Sequence, residues 1–243
     1  MKQPIKIFIA ALALIALAGC EIFEIDNYEG PNASFHGSIL DAETGQAVET
    51  DIQNGSAIRA YELGWPTEAA QTWVIKQNGE FRNDMTFAAH YKIEFINGNF
   101  YPFTIPDLEI TKGDNLHDFQ VTPYIRIKNA DIRKSGNTVV ATFSLEAGKP
   151  EVRLAAIRLY AFTDIYVGEQ VKFDIEGDAF RKSFSPAKAI VPGETFTLTI
   201  DIGANSGQFK YSRNYYFRIG ALAEVANVGT VRHNYAPHAV IPF

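Results

Sequence analysis

Apolar and polar residues alternate with a period of two through most of this chain, and that period predicts strands. Residues 33–40 alternate in this way, and Asp41-Ala-Glu-Thr-Gly45 follows. An Asx side chain folding onto its own backbone, with a glycine free to take positive φ, predicts a tight turn there. Residues 57–63 and 72–76 read as the next strands. Between them lies an irregular loop, Gly64-Trp-Pro-Thr-Glu-Ala-Ala-Gln71. Asn78-Gly79 is a hairpin dipeptide. Residues 80–83, 87–95, 100–105 and 116–123 complete a first set of strands.

After Pro123-Tyr124 the pattern restarts. Residues 124–129, 138–145, 153–162, 195–202, 215–223 and 238–243 read as strands, with Phe196, Leu198, Ile200 and Ile202 on one face of their segment. The strands recur at roughly 8–15 residues with turn signals between them and few helix-period runs, so the chain is expected to be all-β, two tandem β-sandwich domains. The expected boundaries are 32–123 and 124–243, the second with about seven strands. Phe243 ends an apolar strand and is expected to be buried.

The start of the chain follows a different rule. Lys2 and Lys6 precede an apolar run to Ala18, and Leu17-Ala-Gly-Cys20 closes it. A basic region, a short apolar region and small residues before a cut site make a secretory signal peptide over 1–19, too short to span a bilayer. Cys20, the chain's single cysteine, stands where the cut falls. The pattern resembles the lipobox of bacterial lipoproteins. That resemblance implies an acylated Cys20 and a lipid anchor in the outer membrane, with 20–31 as an acidic tether. Acidic residues after such a cysteine also resemble the signal that sends Bacteroidetes lipoproteins to the cell surface.

Charge and composition narrow the function classes. The formal charge is −6, and removing Lys2 and Lys6 with the leader makes it more negative. An acidic protein gains nothing from phosphate counterion release, so nucleic acid is not expected as a partner. With Cys20 acylated no thiol remains for a disulfide, a metal or nucleophilic catalysis.

His36, His90, His117, His233 and His238 show no metal-ligand spacing, and neither a metal nor another cofactor is expected. No nucleophile elbow or phosphate loop occurs. Paired glycosidase carboxylates leave no sequence spacing, but the units are small for hydrolase scaffolds, so no catalytic residue is assigned.

Aromatic loop residues remain. Trp65, between Gly64 and Pro66, and Tyr101, beside another loop, could stack on sugar faces, with Glu68, Gln71 and Asn99 fixing hydroxyls. Trp73 lies on a strand and is expected in the core. Of Tyr215 and Tyr216, at most one can face outward.

Family resemblances sharpen this. Gly37, residues 41–45, 58–63 and 88–93, and Asn78-Gly-Glu-Phe81 make the first unit similar to a transthyretin-like or carboxypeptidase-regulatory-like sandwich, departing at Ala89, where that family carries glycine. Residues 191–198 and 215–223 make the second resemble a fibronectin type III or immunoglobulin-like module. The lipobox, Asp26-Asn-Tyr-Glu-Gly-Pro-Asn-Ala33, Arg59-Ala-Tyr-Glu-Leu63 and Phe119-Gln-Val-Thr-Pro-Tyr124 together resemble the Bacteroidetes lipoproteins of domain of unknown function 3823. That resemblance implies a setting beside SusC/SusD-type outer-membrane glycan uptake systems and supplies no catalytic residues. Two readings follow: a glycan-binding accessory of a polysaccharide utilisation system, or a scaffold docking to outer-membrane partners, of which a pilin-like subunit is a variant.

The anchor is directly testable. Cys20→Ser is expected to move the protein from the membrane pellet to the soluble fraction on cell fractionation, and unchanged partitioning would refute lipidation.

Overall fold

The computed structural model describes residues 29–243, so the signal peptide, Cys20 and most of the tether lie outside the described residues. The described chain is all-β. The first eight strands are β1 (Ala33–Asp41), β2 (Ala57–Glu62), β3 (Ala70–Val74), β4 (Glu80–Thr86), β5 (Ala89–Phe95), β6 (Phe103–Ile110), β7 (Gly113–Leu116) and β8 (Phe119–Val121). They form two facing sheets, one ordered β4-β1-β7 with β8 also on β1, the other β3-β2-β5-β6.

Eight more follow: β9 (Ile125–Ser135), β10 (Thr138–Ala147), β11 (Arg153–Phe162), β12 (Arg181–Ala189), β13 (Thr195–Asp201), β14 (Asn214–Glu224), β15 (Asn234–Tyr235) and β16 (Ala239–Pro242). These make sheets β13-β10-β9 and β12-β11-β14-β15, with β16 also on β14. The count exceeds the expected seven. The edge strand β12 is largely polar and contains Pro186, so it carries no alternation to read. With only two residues, β15 is too short for a period.

Each sandwich has its own core, built from the inward parity of its strands. Phe35, Ile39, Ile58, Trp73, Tyr91, Ile93 and Phe95 fill the first. Val139, Phe143, Leu159, Phe196, Leu198, Tyr215, Phe217 and Ile219 are among those filling the second. Trp73 is therefore core, as its strand position predicts, and Tyr215 is the inward member of its pair. Phe243 is partly buried and packs against the second core. The expected turn also forms: Gly45 takes φ +69, and its N–H donates to the Asp41 carbonyl at 2.8 Å.

The two sandwiches are joined by buried polar contacts. Arg218 of β14 is 1% exposed. Its Nε donates to the Ala236 carbonyl at 3.2 Å, and Nη1 to the carbonyls of Thr50 (3.1 Å) and Val167 (3.2 Å). Its Nη2 donates to Glu49 Oε2 (2.6 Å) and the Gln77 carbonyl (3.0 Å). The guanidinium has five N–H donors and all are used. Arg126 of β9 grips Asp41 of β1 through two parallel bonds of 2.6 and 2.8 Å, and also pairs with Glu43 and Glu146. Asp51 accepts from Tyr235 Oη at 2.6 Å and from the Glu169 N–H at 3.0 Å. Burial holds the Asp51 carboxyl above its ordinary value despite these bonds. Burial also lowers the His233 imidazole, which packs near Tyr160 and Tyr235, to about 4.

Two outcomes are expected. Arg218→Leu leaves Glu49 and four carbonyls without their donor, so the unfolding free energy should fall by about 3–5 kcal/mol. Urea denaturation reads this, and an unmoved midpoint would contradict the role.

The second concerns pH. An unfolded histidine takes up a proton near pH 6.5, whereas folded His233 resists until about 4. Its stabilisation is therefore complete above pH 6.5 and lost as pH falls towards 4, about 3 kcal/mol at most. Asp51 acts in the opposite sense, its raised pKa adding stability as pH falls. Comparing the chain with His233→Gln across pH 7.5 to 5 isolates the imidazole. The variant should show a shallower loss, and parallel profiles would exclude His233.

Candidate functional site

The connection between β2 and β3 forms the most open aromatic feature of the first sandwich. The two strands pair antiparallel, Ala57 opposite Val74 through Tyr61 opposite Ala70. Gly64 takes φ +97 just after β2, a conformation that a side chain resists. The Leu63 N–H donates to the His90 carbonyl of β5 at 2.8 Å. That bond fixes the root of the loop, and the chain then reverses through Trp65 and Pro66. Trp65 is 60% exposed. It lines a hollow of about 510 Å³ with Glu62, Pro66, Thr67, Ala69 and Gln71.

Glu68 and Lys92 brace the loop against the sheet. Lys92 Nζ lies 2.7 Å from Glu68, 3.8 Å from Glu94 and 4.2 Å above the Tyr61 ring. The hydrogen bond to Glu68 raises the ammonium's pKa. Gln71 Oε1 accepts from the Trp73 indole N–H at 3.2 Å, which orients the amide beside the hollow. Burial, with the charge of Glu62 behind it, pushes the Tyr91 hydroxyl up to about 12.

Of the five residues expected to contact sugar, the structure brings Trp65, Glu68 and Gln71 together at this loop. It separates the other two. Asn99 is fully buried. It donates to the carbonyls of Glu49 (2.6 Å) and His233 (3.1 Å), and its Oδ1 accepts from Ser56 Oγ at 2.8 Å. Asn99 is thus a junction residue and no sugar contact. Its Asn97-Gly-Asn99 setting reads as a surface turn, but the second sandwich covers it. Tyr101 also stands at the junction: its hydroxyl donates to Glu151 at 3.0 Å, Lys149 Nζ sits 3.8 Å over its ring, and Tyr124 packs edge-on at 4.9 Å. Sequence reasoning did not single out Glu62 and Thr67 as lining. Their adjacency to Trp65 across one hairpin turn was the available signal.

A second hollow, of about 430 Å³, lies where the sandwiches meet, lined by Asp41, Glu49, Arg126, Lys128, Asn234, Pro237 and neighbours. Its polar groups are largely committed. Arg126 is held by three carboxylates, and Asn234 accepts from the Ile125 N–H and donates to the Asn99 carbonyl.

The histidines are dispersed. His36 contacts Asp114 at 3.1 Å and His90 contacts Asp107 at 2.6 Å. His117 packs on Phe119, and His238 on Tyr216. Among the described residues, no group of three or more His, Cys, Asp or Glu side chains is placed to hold a metal ion.

What the Trp65 hollow can do is bind. An exposed indole face receives the C–H face of a pyranose, and a carboxylate, a hydroxyl and an amide at its edge can meet sugar hydroxyls.

Comparison with known proteins follows this geometry. The family model for the N-terminal domain of a protein of unknown function, DUF3823, matches residues 33–122. That for the domain of unknown function DUF3823_C matches residues 125–238. A solved structure from Bacteroides uniformis ATCC 8492, described as a "putative carbohydrate binding protein", is 54% identical with a TM-score of 0.86, over 88% of this chain and 100% of that one. DUF3823 family proteins from Bacteroides ovatus ATCC 8483 (20% identity, TM-score 0.69, 86% of this chain and 98% of that one) and Parabacteroides merdae ATCC 43184 (19%, 0.68, 88% and 100%) share the fold. No curated protein matches the chain.

Proposed function

We propose a non-catalytic glycan-binding role for this chain, which belongs to the DUF3823 family through both of its domains. In this reading the Trp65 hollow holds a polysaccharide segment at the bacterial surface. Acylated Cys20 tethers the protein to the outer membrane, and a neighbouring SusC/SusD-type system takes up the glycan.

The observation that carries the proposal is the 60% exposure of Trp65 on a loop that is itself held in place. Exposing a large aromatic side chain forgoes the stabilisation that burying it would bring, and a ligand that covers the ring recovers it. The description of the 54% identical Bacteroides uniformis protein points the same way. The tether and the uptake setting rest on the lipobox and on the family resemblance.

Affinity electrophoresis over neutral and acidic polysaccharides tests the reading. Retardation on at least one glycan is expected, and Trp65→Ala should weaken it at least tenfold. Because the ring is largely exposed, the unfolding free energy of that variant should stay within about 0.5 kcal/mol of the parent. Retardation that survives Trp65→Ala would move the site elsewhere. No retardation on any glycan would favour the scaffold reading, in which the paired sandwiches dock to outer-membrane proteins.

A further inference from the structure

We infer that the Trp65 hollow selects uncharged sugar units and turns away carboxylated or sulfated ones. The inference rests on the glycan-binding reading and adds to it the chemical class of the ligand.

Its basis is the charge inventory of the lining. Glu62 is the charged member, and Trp65, Pro66, Thr67, Ala69 and Gln71 complete the wall without a cation. Glu68, outside the lining, is paired with Lys92 and adds no net charge to the loop. The ammonium that reaches this loop, Lys92, is already engaged. It is 2.7 Å from Glu68 and 3.8 Å from Glu94, and it is stacked 4.2 Å above Tyr61. Freeing it would break the brace that holds the loop.

An acidic sugar is recognised where an arginine or lysine meets its carboxylate or sulfate, arginine by a two-pronged bond. Such a sugar in this hollow would face the Glu62 carboxylate with no cation in the lining to offset it, and its own hydration would be lost without replacement. A neutral pyranose meets the opposite case. Its hydroxyls are donors, a carboxylate is a strong acceptor for them, and its C–H face suits the indole. The lining therefore supplies acceptors and an apolar plane, which is what an uncharged sugar requires.

Matched polymers test this. Amylose, mixed-linkage β-glucan and galactomannan are each compared with the same polymer oxidised at C6, which converts primary alcohols to carboxylates. Binding to the purified protein is read by calorimetry at low and high salt. The neutral polymer should bind at least ten times more tightly than its oxidised form at low salt. The gap should narrow as salt screens the repulsion, and narrow likewise in Glu62→Gln.

Equal binding of both forms, with Trp65→Ala still abolishing it, would overturn the selectivity and leave the site standing. Preference for the oxidised form would overturn it too. A gap unaffected by salt would assign discrimination to the lost C6 hydroxyl and also overturn the charge argument. If no form binds, or if Trp65→Ala changes nothing, the glycan-site reading itself falls and the inference with it.

Discussion

A fully buried guanidinium, that of Arg218, ties the two sandwiches together. Arg218 lies in a strand whose other face is core, and water is excluded from it. A guanidinium in that position is tolerated only if every N–H finds an acceptor. The acceptors come from both sides: Glu49, Thr50 and Gln77 from the first sandwich, Val167 and Ala236 from the second. Moving either sandwich by an ångström or two would orphan several at once. The Tyr235 ring, 4.1 Å beneath the charge, closes the remaining face. A well-packed apolar junction could match this contact in stability. What the arginine adds is discrimination, because one relative placement satisfies it and neighbouring placements do not. The Asp41–Arg126 pair and the Asn99 amide repeat the same logic at other points of the seam.

This seam is also where reading from sequence stops. The sandwiches themselves were legible because alternation is a local signal. Phe35 and Ile39 point inward on β1 and Phe196, Leu198 and Ile200 on β13, as the pattern predicts. The tight turn at 41–45 was equally local. The seam is not local. In β14 the period puts Tyr215, Phe217, Ile219 and Ala221 on one face, which leaves Tyr216, Arg218 and Gly220 for what alternation alone treats as solvent. A charged residue inside so apolar a run was the one hint that this face is covered. Asp41 is the companion case. Its turn bonds to Glu43, Thr44 and Gly45 form as expected, and the same carboxylate also receives Arg126 from 85 residues away. No spacing within the 41–45 segment encodes that second task.

The candidate site divides along the same line. Trp65 and Glu68 sit in one hairpin connection and Gln71 on the strand that follows it, so proximity in sequence becomes proximity in space. Asn99 and Tyr101 were grouped with them because they too flank a turn, yet that turn faces the other sandwich. A turn signal reports a chain reversal and says nothing about what the reversed chain meets. Exposure of the aromatic ring, and not turn chemistry, separates Trp65 from Tyr101.

Rigidity links the seam to the hollow. Binding a flexible polymer costs conformational freedom on the ligand's side, so a receptor that adds its own ordering cost binds more weakly. The Trp65 loop adds little. Its root is bonded to β5 through Leu63 and His90, its middle is braced by Glu68 and Lys92, and the strands on either side are in register over five residue pairs. Those strands belong to a sandwich held to its neighbour by the buried contacts of Arg218, Asp41–Arg126 and Asn99. Lys92 then serves two ends with one charge. By engaging Glu68 it fixes the loop, and in doing so it is withdrawn from any anionic ligand. In the proposed glycan-binding reading, the preorganisation of the hollow and a preference for uncharged sugar both follow from the same ion pair.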